Sequence, residues 1–236
     1  MAHQFKGSLE DAVDEVLAWS SIFNYHPTLE ELIENLQVKT DPEQLIEFIE
    51  KSSKISISNG VVISDKYPIN TDLDKSKLLA DKHIEQTREV LSILNSAKQV
   101  TGLAITGSVA AGVNEEDGDV DILIITKPGW VWRVRALAIY LSHKHPKGRL
   151  LCPNMVLADD SLEFEHSVYG AREMMRIIPI KDDRGISDLY ESNKWVHDIL
   201  PNARKKGLFE IEQARGYPWW WSVMRLPLLG SIIENW

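Results

Sequence analysis

The stretch that most constrains this 236-residue chain is "GSVAAGVNEEDGDVDILIIT", Gly107 to Thr126. Its last part, "DVDILIIT", is apolar enough to be a buried strand, yet it opens on Asp119 and Asp121. Strand alternation sends both carboxylates to one face, roughly 6.5–7 Å apart at about 3.3 Å per residue. Val120, Ile122 and Ile124 then face one core layer, while Leu123 and Ile125 continue the aspartate face inward. Like charges so placed raise each other's pKa unless a cation lies between them, and hard oxygen donors of this kind suit Mg²⁺. The strand reads as a metal holder.

Upstream, "GLAIT" is a second buried strand that ends at Gly107-Ser108. Glycine permits close backbone approach, and Ser108 begins a short helix whose free N–H groups can receive phosphate oxygens. Phosphate and metal sites then lie side by side, as phosphoryl or nucleotidyl transfer requires. Taken alone, a D-x-D pair reads as a solvated acidic loop; the Gly-Ser turn at a fixed distance separates it from that reading and from metal-dependent glycosyltransferases. Glu115, Glu116 and Asp117 are expected to be solvated.

Gly107-Ser108, ten intervening residues, then Asp119-Val120-Asp121 and "ILII" resemble the Gly-Ser-x10-Asp-x-Asp signature of minimal nucleotidyltransferases in the DNA polymerase beta superfamily. The resemblance spans about Leu78 to Ile180. The segment "LLCPNMVLADDSLEFEHSVYGAREMMRIIPI" is similar to the later part of bacterial and archaeal nucleotidyltransferase-domain proteins. It implies an α/β (α+β) fold with a small mixed β-sheet flanked by helices. It further implies that Gly107 and Ser108 bind the nucleotide, and that Asp119 and Asp121 are catalytic and hold Mg²⁺ or Mn²⁺. The substrate would be an NTP such as ATP, and NMP would pass to a protein, small-molecule or RNA-end acceptor with release of pyrophosphate.

The superfamily draws a third carboxylate from the next strand, which here reads "LLCPNMVL", with Asn154 as the expected counterpart. An amide adds no negative charge and is no general base at neutral pH. Glu163 or Glu165, and as weaker candidates Asp159 or Asp160, are the substitutes within reach in sequence. Asn154 also favours a second reading, a nucleotide-binding adaptor that kept the fold and lost turnover.

Residues 1–66 show three short helical patterns and then "KISISNGVVIS", which alternates around Asn59-Gly60. This is a winged-helix-like order. Thr28 with Glu31 forms a capping box, and Asp41-Pro42 starts the third helix. Five lysines stand against twelve acids through Lys66, a net of −7, and the helix "DPEQLIEFIEKS" offers no arginine for bases. Protein contact is therefore expected of this region rather than DNA binding. Residues 67–77 read as a linker, 78–186 as the nucleotidyltransferase domain with a long helix from about Leu78 to Lys98 and a later one near Tyr169 to Ile178, and 187–236 as a helical, Trp-rich C-terminal segment.

A formal charge of −9 opposes general attraction to nucleic acid. The lone Cys152 excludes a disulfide framework, and neither a signal sequence nor a long apolar run is seen, which predicts a soluble cytoplasmic protein. His143 and His145 read as helix C-terminal cations rather than metal ligands, and Arg133 and Arg135, on different helix faces, as surface residues of which at most one reaches a triphosphate. Arg172 and Arg176 share a helix face and are open to phosphate or to acidic partners. Tyr217, Trp219, Trp220, Trp221, Leu226, Leu228, Leu229, Ile232, Ile233 and Trp236 form an apolar end. Packing over the core is the expectation there, with a membrane or protein contact through Trp219–Trp236 as the alternative.

Overall fold

The structure, a computed structural model, describes residues 5–69 and 72–226. The chain forms two compact units that are not consecutive in sequence. One comprises the chain up to Ser76 with Glu165–Met175 and Lys194–Lys205; the other comprises Lys77–Phe164, Arg176–Asn193 and the chain from Lys206 onward.

In the first unit, α1 (Leu9–Ile22) starts at Ser8, which exchanges capping hydrogen bonds with Asp11. The capping box expected at Thr28 and Glu31 starts α2 (Leu29–Asn35), and Asp41 caps α3 (Pro42–Lys51) with Pro42 in its first turn. Strands β1 (Ile55–Ser58) and β2 (Val61–Ser64) pair antiparallel. Asn59 and Gly60 join them with φ of 51° and 81°, the left-handed pair that a type I′ turn demands. Val61 also bridges Thr28, tying the hairpin to the start of α2. Val13, Leu17, Leu32, Leu45, Ile49 and Val62 close the core.

Helix α4 (Leu73–Asn95) begins earlier than the expected Leu78, because Asp72 accepts a hydrogen bond from the Lys75 amide (3.0 Å) and so caps a turn that reads as linker. Four strands follow in the second unit: β3 (Val100–Ile105), β4 (Val120–Thr126), β5 (Leu151–Ala158) and β6 (Ile178–Asp182). Their order is β5-β4-β3-β6. Strand β3 runs antiparallel to both β4 and β6, while β4 and β5 are parallel, so the sheet is mixed. The short helix α5 (Gly107–Ala110) connects β3 to β4, and α6 (Val131–Lys144) crosses from β4 to β5. Val120, Ile122 and Ile124 join Leu91, Leu94 and Leu137 in one core cluster. Leu123 and Ile125 are buried as well, so β4 is covered on both faces.

Downstream of β5 the expected helix forms, and a strand that was not expected follows it. Helix α7 (Val168–Arg176) stops before Ile178, and the next five residues are β6, a strand at the sheet edge. Pro179, which has no N–H to give, is tolerated there. Its carbonyl accepts from the Phe209 amide at 2.7 Å.

Among its described residues, the C-terminal segment is helical only in α8 (Gly185–Ser192), α9 (Val196–Ile199) and α10 (Trp219–Met224). Between α9 and α10 the chain, broken by Pro201, Gly207, Gly216 and Pro218, is irregular. Polar groups at the end of α4 fasten it: Ser96 Oγ donates to the Ala214 carbonyl (2.7 Å) and Asn95 Nδ2 to the Ile211 carbonyl (3.3 Å). Trp221 is fully buried against the sheet cluster, as the packing expectation has it, whereas Trp219 is 82% exposed. Leu228, Leu229, Ile232, Ile233 and Trp236 lie outside the described residues. Among the described residues, no helix is long and apolar enough to cross a membrane.

Candidate active site at the start of strand β4

The bend after β3 and the entrance of β4 are built against each other. The Thr106 amide donates to the Asp121 carbonyl at 2.8 Å, which fixes the two backbones. Gly107 follows with φ of 66°, a left-handed conformation that favours glycine. A Cβ at Gly107 would lie 2.5 Å from Asp121 Oδ2 and 3.2 Å from Asp121 Cβ. Glycine is thus required twice, for its dihedral angle and for the space it leaves beside a carboxylate oxygen. Ser108 is exposed in the first turn of α5.

The intervening loop is held from inside. Asn114 is buried; its Nδ2 donates to His83 Nδ1 (2.8 Å) and to the Asp119 carbonyl (3.2 Å), and its Oδ1 accepts from the Glu115 amide (3.0 Å). One amide side chain therefore joins α4 to the backbone of the first aspartate. Glu115, Glu116 and Asp117 are exposed, as expected of a solvated turn.

Asp119 and Asp121 do converge, and their third neighbour is Cys152. Ligand atoms of the three side chains all lie within 4.8 Å of one another. Burial pushes the Asp121 carboxyl up from its ordinary value, the Asp119 charge adds to this, and a hydrogen bond from Cys152 partly offsets it. The Cys152 thiol is pushed up to about 12 by burial and by the two carboxylates.

Asn154 does not take the third position. Cys152 lies opposite Asp121, but Met155 lies opposite Leu123, so β5 spends three residues where β4 spends two. That irregularity, at Pro153-Asn154, reverses the alternation and puts Met155 rather than Asn154 in step with the aspartate face. Asn154 is exposed. Asp159 follows the far end of β5, its amide bonded to the Thr126 carbonyl (2.8 Å), so Asp159 and Asp160 stand a strand length away, about 20 Å. Glu163 and Glu165 are exposed and are not in the converging group.

The other singled-out residues serve elsewhere. Arg133 is buried, not solvated: its guanidinium stacks 3.5 Å from the Trp130 ring and donates to the carbonyls of Met224 (3.0 Å) and Gly129. Arg172 is buried in the first unit, where it pairs with Glu15 at 2.9 and 2.5 Å. His143 bonds through Nδ1 to the Ile139 carbonyl (2.9 Å) near the end of α6. Sequence reasoning missed Cys152, His83 and Asn114. Only the pairing of strand starts, which places residue 152 beside residue 121, carries a signal for the first of these.

Residues 84–147 match the family model of the nucleotidyltransferase domain. This part of the chain is similar to nucleotidyltransferase domains. The match runs from within α4 to just past α6, so it contains the Gly107-Ser108 bend and both aspartates. Among curated proteins and solved structures, none matches the chain. The match supports nucleotidyl transfer as the reaction class, and it takes in β3 and β4 of the mixed sheet. Its donor set fits a divalent cation: two carboxylates converge, and the missing Cβ of Gly107 leaves an Asp121 oxygen uncovered.

Proposed function

We propose that the protein is a Mg²⁺- or Mn²⁺-dependent enzyme that transfers NMP from an NTP to a protein, small-molecule or RNA-end acceptor. Asp119 and Asp121 hold the cation, and the backbone amides of Gly107 and Ser108 receive the outer phosphates. The bound cation supplies charge neutralisation of the triphosphate and of the pyrophosphate that leaves. Gly107 lets the phosphates approach the backbone closely, and Asn114 keeps Asp119 in place through its carbonyl. The carrying observation is the juxtaposition of Asp121 and Gly107, where a single methyl group would fill the gap.

Incubation with labelled ATP, GTP, CTP and UTP and a divalent cation, with label followed on protein, RNA and small molecules, tests this reading. Transfer is expected from the wild type and not from the double variant Asp119→Asn, Asp121→Asn; labelling that persists in the double variant removes the assignment. The thiol of Cys152, on the strand from which the resemblance expects a third carboxylate, supports a second reading as a nucleotide-binding adaptor with weak or no turnover. NTP binding without pyrophosphate release under any of these conditions selects that reading.

The first unit we read as winged-helix-like and protein-contacting, since α3 presents Glu43, Glu47 and Glu50 and no arginine. The exposed Trp219 supports a contact of the C-terminal segment with a protein or membrane surface, which liposome flotation separates. A cytoplasmic location agrees with this reading.

A further inference from the structure

The converging donor set is two carboxylates and one thiol, and the thiol is not what a Mg²⁺ site calls for. Mg²⁺ prefers oxygen ligands and an octahedral shell rich in water. Sulfur belongs with Zn²⁺ and its neighbours, which accept carboxylate and thiolate together and work with three protein ligands and an open position. We infer that Cys152 is the third protein ligand of the site and that the site selects a thiophilic divalent ion of the Zn²⁺ and Co²⁺ class over Mg²⁺. This keeps the reaction of the proposed function and replaces its metal, and it rests on that reading because Asp119 and Asp121 are the other metal ligands.

The geometry supports it in two ways. Metal–oxygen bonds of about 2.0–2.2 Å and a metal–sulfur bond of about 2.3 Å put neighbouring ligand atoms of a tetrahedron about 3.5 Å apart. The three donors are within 4.8 Å of one another, so side-chain adjustments of about an ångström complete the shell. Pairing across the parallel strands sets Cys152 directly opposite Asp121, so backbone register rather than a chance rotamer brings the sulfur there. Ligation breaks the S–H bond, the proton passes to solvent, and the sulfur lone pair binds the metal.

The experiment uses the full chain and Co²⁺ as a spectroscopic probe, without nucleotide. Cys152 is the one cysteine of the sequence, so any thiolate-to-metal charge-transfer band in the near ultraviolet reports on it alone. The wild type is expected to gain that band at one equivalent of Co²⁺ and to keep it in a hundredfold excess of Mg²⁺. Cys152→Ser should lose the band and at least tenfold in Co²⁺ affinity, and Cys152→Asp should lose the band and let Mg²⁺ compete. Co²⁺ bound by the wild type without the band, or displaced by an equal concentration of Mg²⁺, overturns the inference whether or not the variants fold. Mg²⁺-supported nucleotidyl transfer without the band sinks this inference and leaves the proposed function; the band without NTP binding does the reverse.

Discussion

At the scale of single residues, the site depends on what Gly107 lacks and on what Asp121 cannot easily keep. Gly107→Ala should cost about 1–2 kcal/mol for a left-handed alanine alone, and the new methyl group must also push Asp121 aside. Transfer activity should fall at least a hundredfold, read as kcat/KM, while the melting temperature drops by several degrees. Asp121 behaves in the opposite sense. Its folded pKa is raised above the unfolded value of 3.8, so its ionisation opposes folding at neutral pH, and stability returns as pH falls through the raised value. Asp121→Asn should therefore raise the metal-free melting temperature, by less than about 1 kcal/mol in stability because the group is half exposed, while removing activity. A metal-free melting temperature that falls in this variant contradicts the electrostatic account.

At the scale of elements, the loop from α5 to β4 is the piece that turns a fold into a site. Asn114→Ala removes a buried side chain with several hydrogen bonds and leaves His83 and the Asp119 carbonyl without it, at a cost of roughly 1–3 kcal/mol. Catalysis should weaken more than thermal unfolding implies, because the backbone of Asp119 is released; denaturant melts set beside kcat separate the two effects. Elements governed by local chemistry were legible in the sequence: the Thr28 and Asp41 caps, the Asn59-Gly60 hairpin, and the alternation along Val120–Ile125 all follow from neighbouring residues. Elements governed by tertiary pairing were not. Strand β6 is five residues with a proline and carries no alternation of its own; only its place at the sheet edge makes it a strand. The choice of Cys152 over Asn154 depends on an irregularity between two strands that neither strand announces alone. The irregular C-terminal segment lies where it does because Ser96 and Asn95 donate to its carbonyls, a match between positions far apart in the chain.

At the scale of the whole molecule, a net charge of −9 must coexist with the polyanionic NTP of the proposed reaction. The balance favours a small nucleotide carried with its cation over a long phosphate backbone. Fluorescence anisotropy with labelled duplex DNA at physiological salt should show no saturable binding; tight binding there would overturn the reading of the acidic first unit. The central claim is that the aspartates at the start of β4 and the Gly107 bend form one transfer site, and pyrophosphate release tests it most directly. With NTP, divalent cation and acceptor present, the wild type should release pyrophosphate in step with product, and the Asp119→Asn, Asp121→Asn double variant should fall to background. Equal release from the two proteins would contradict the account.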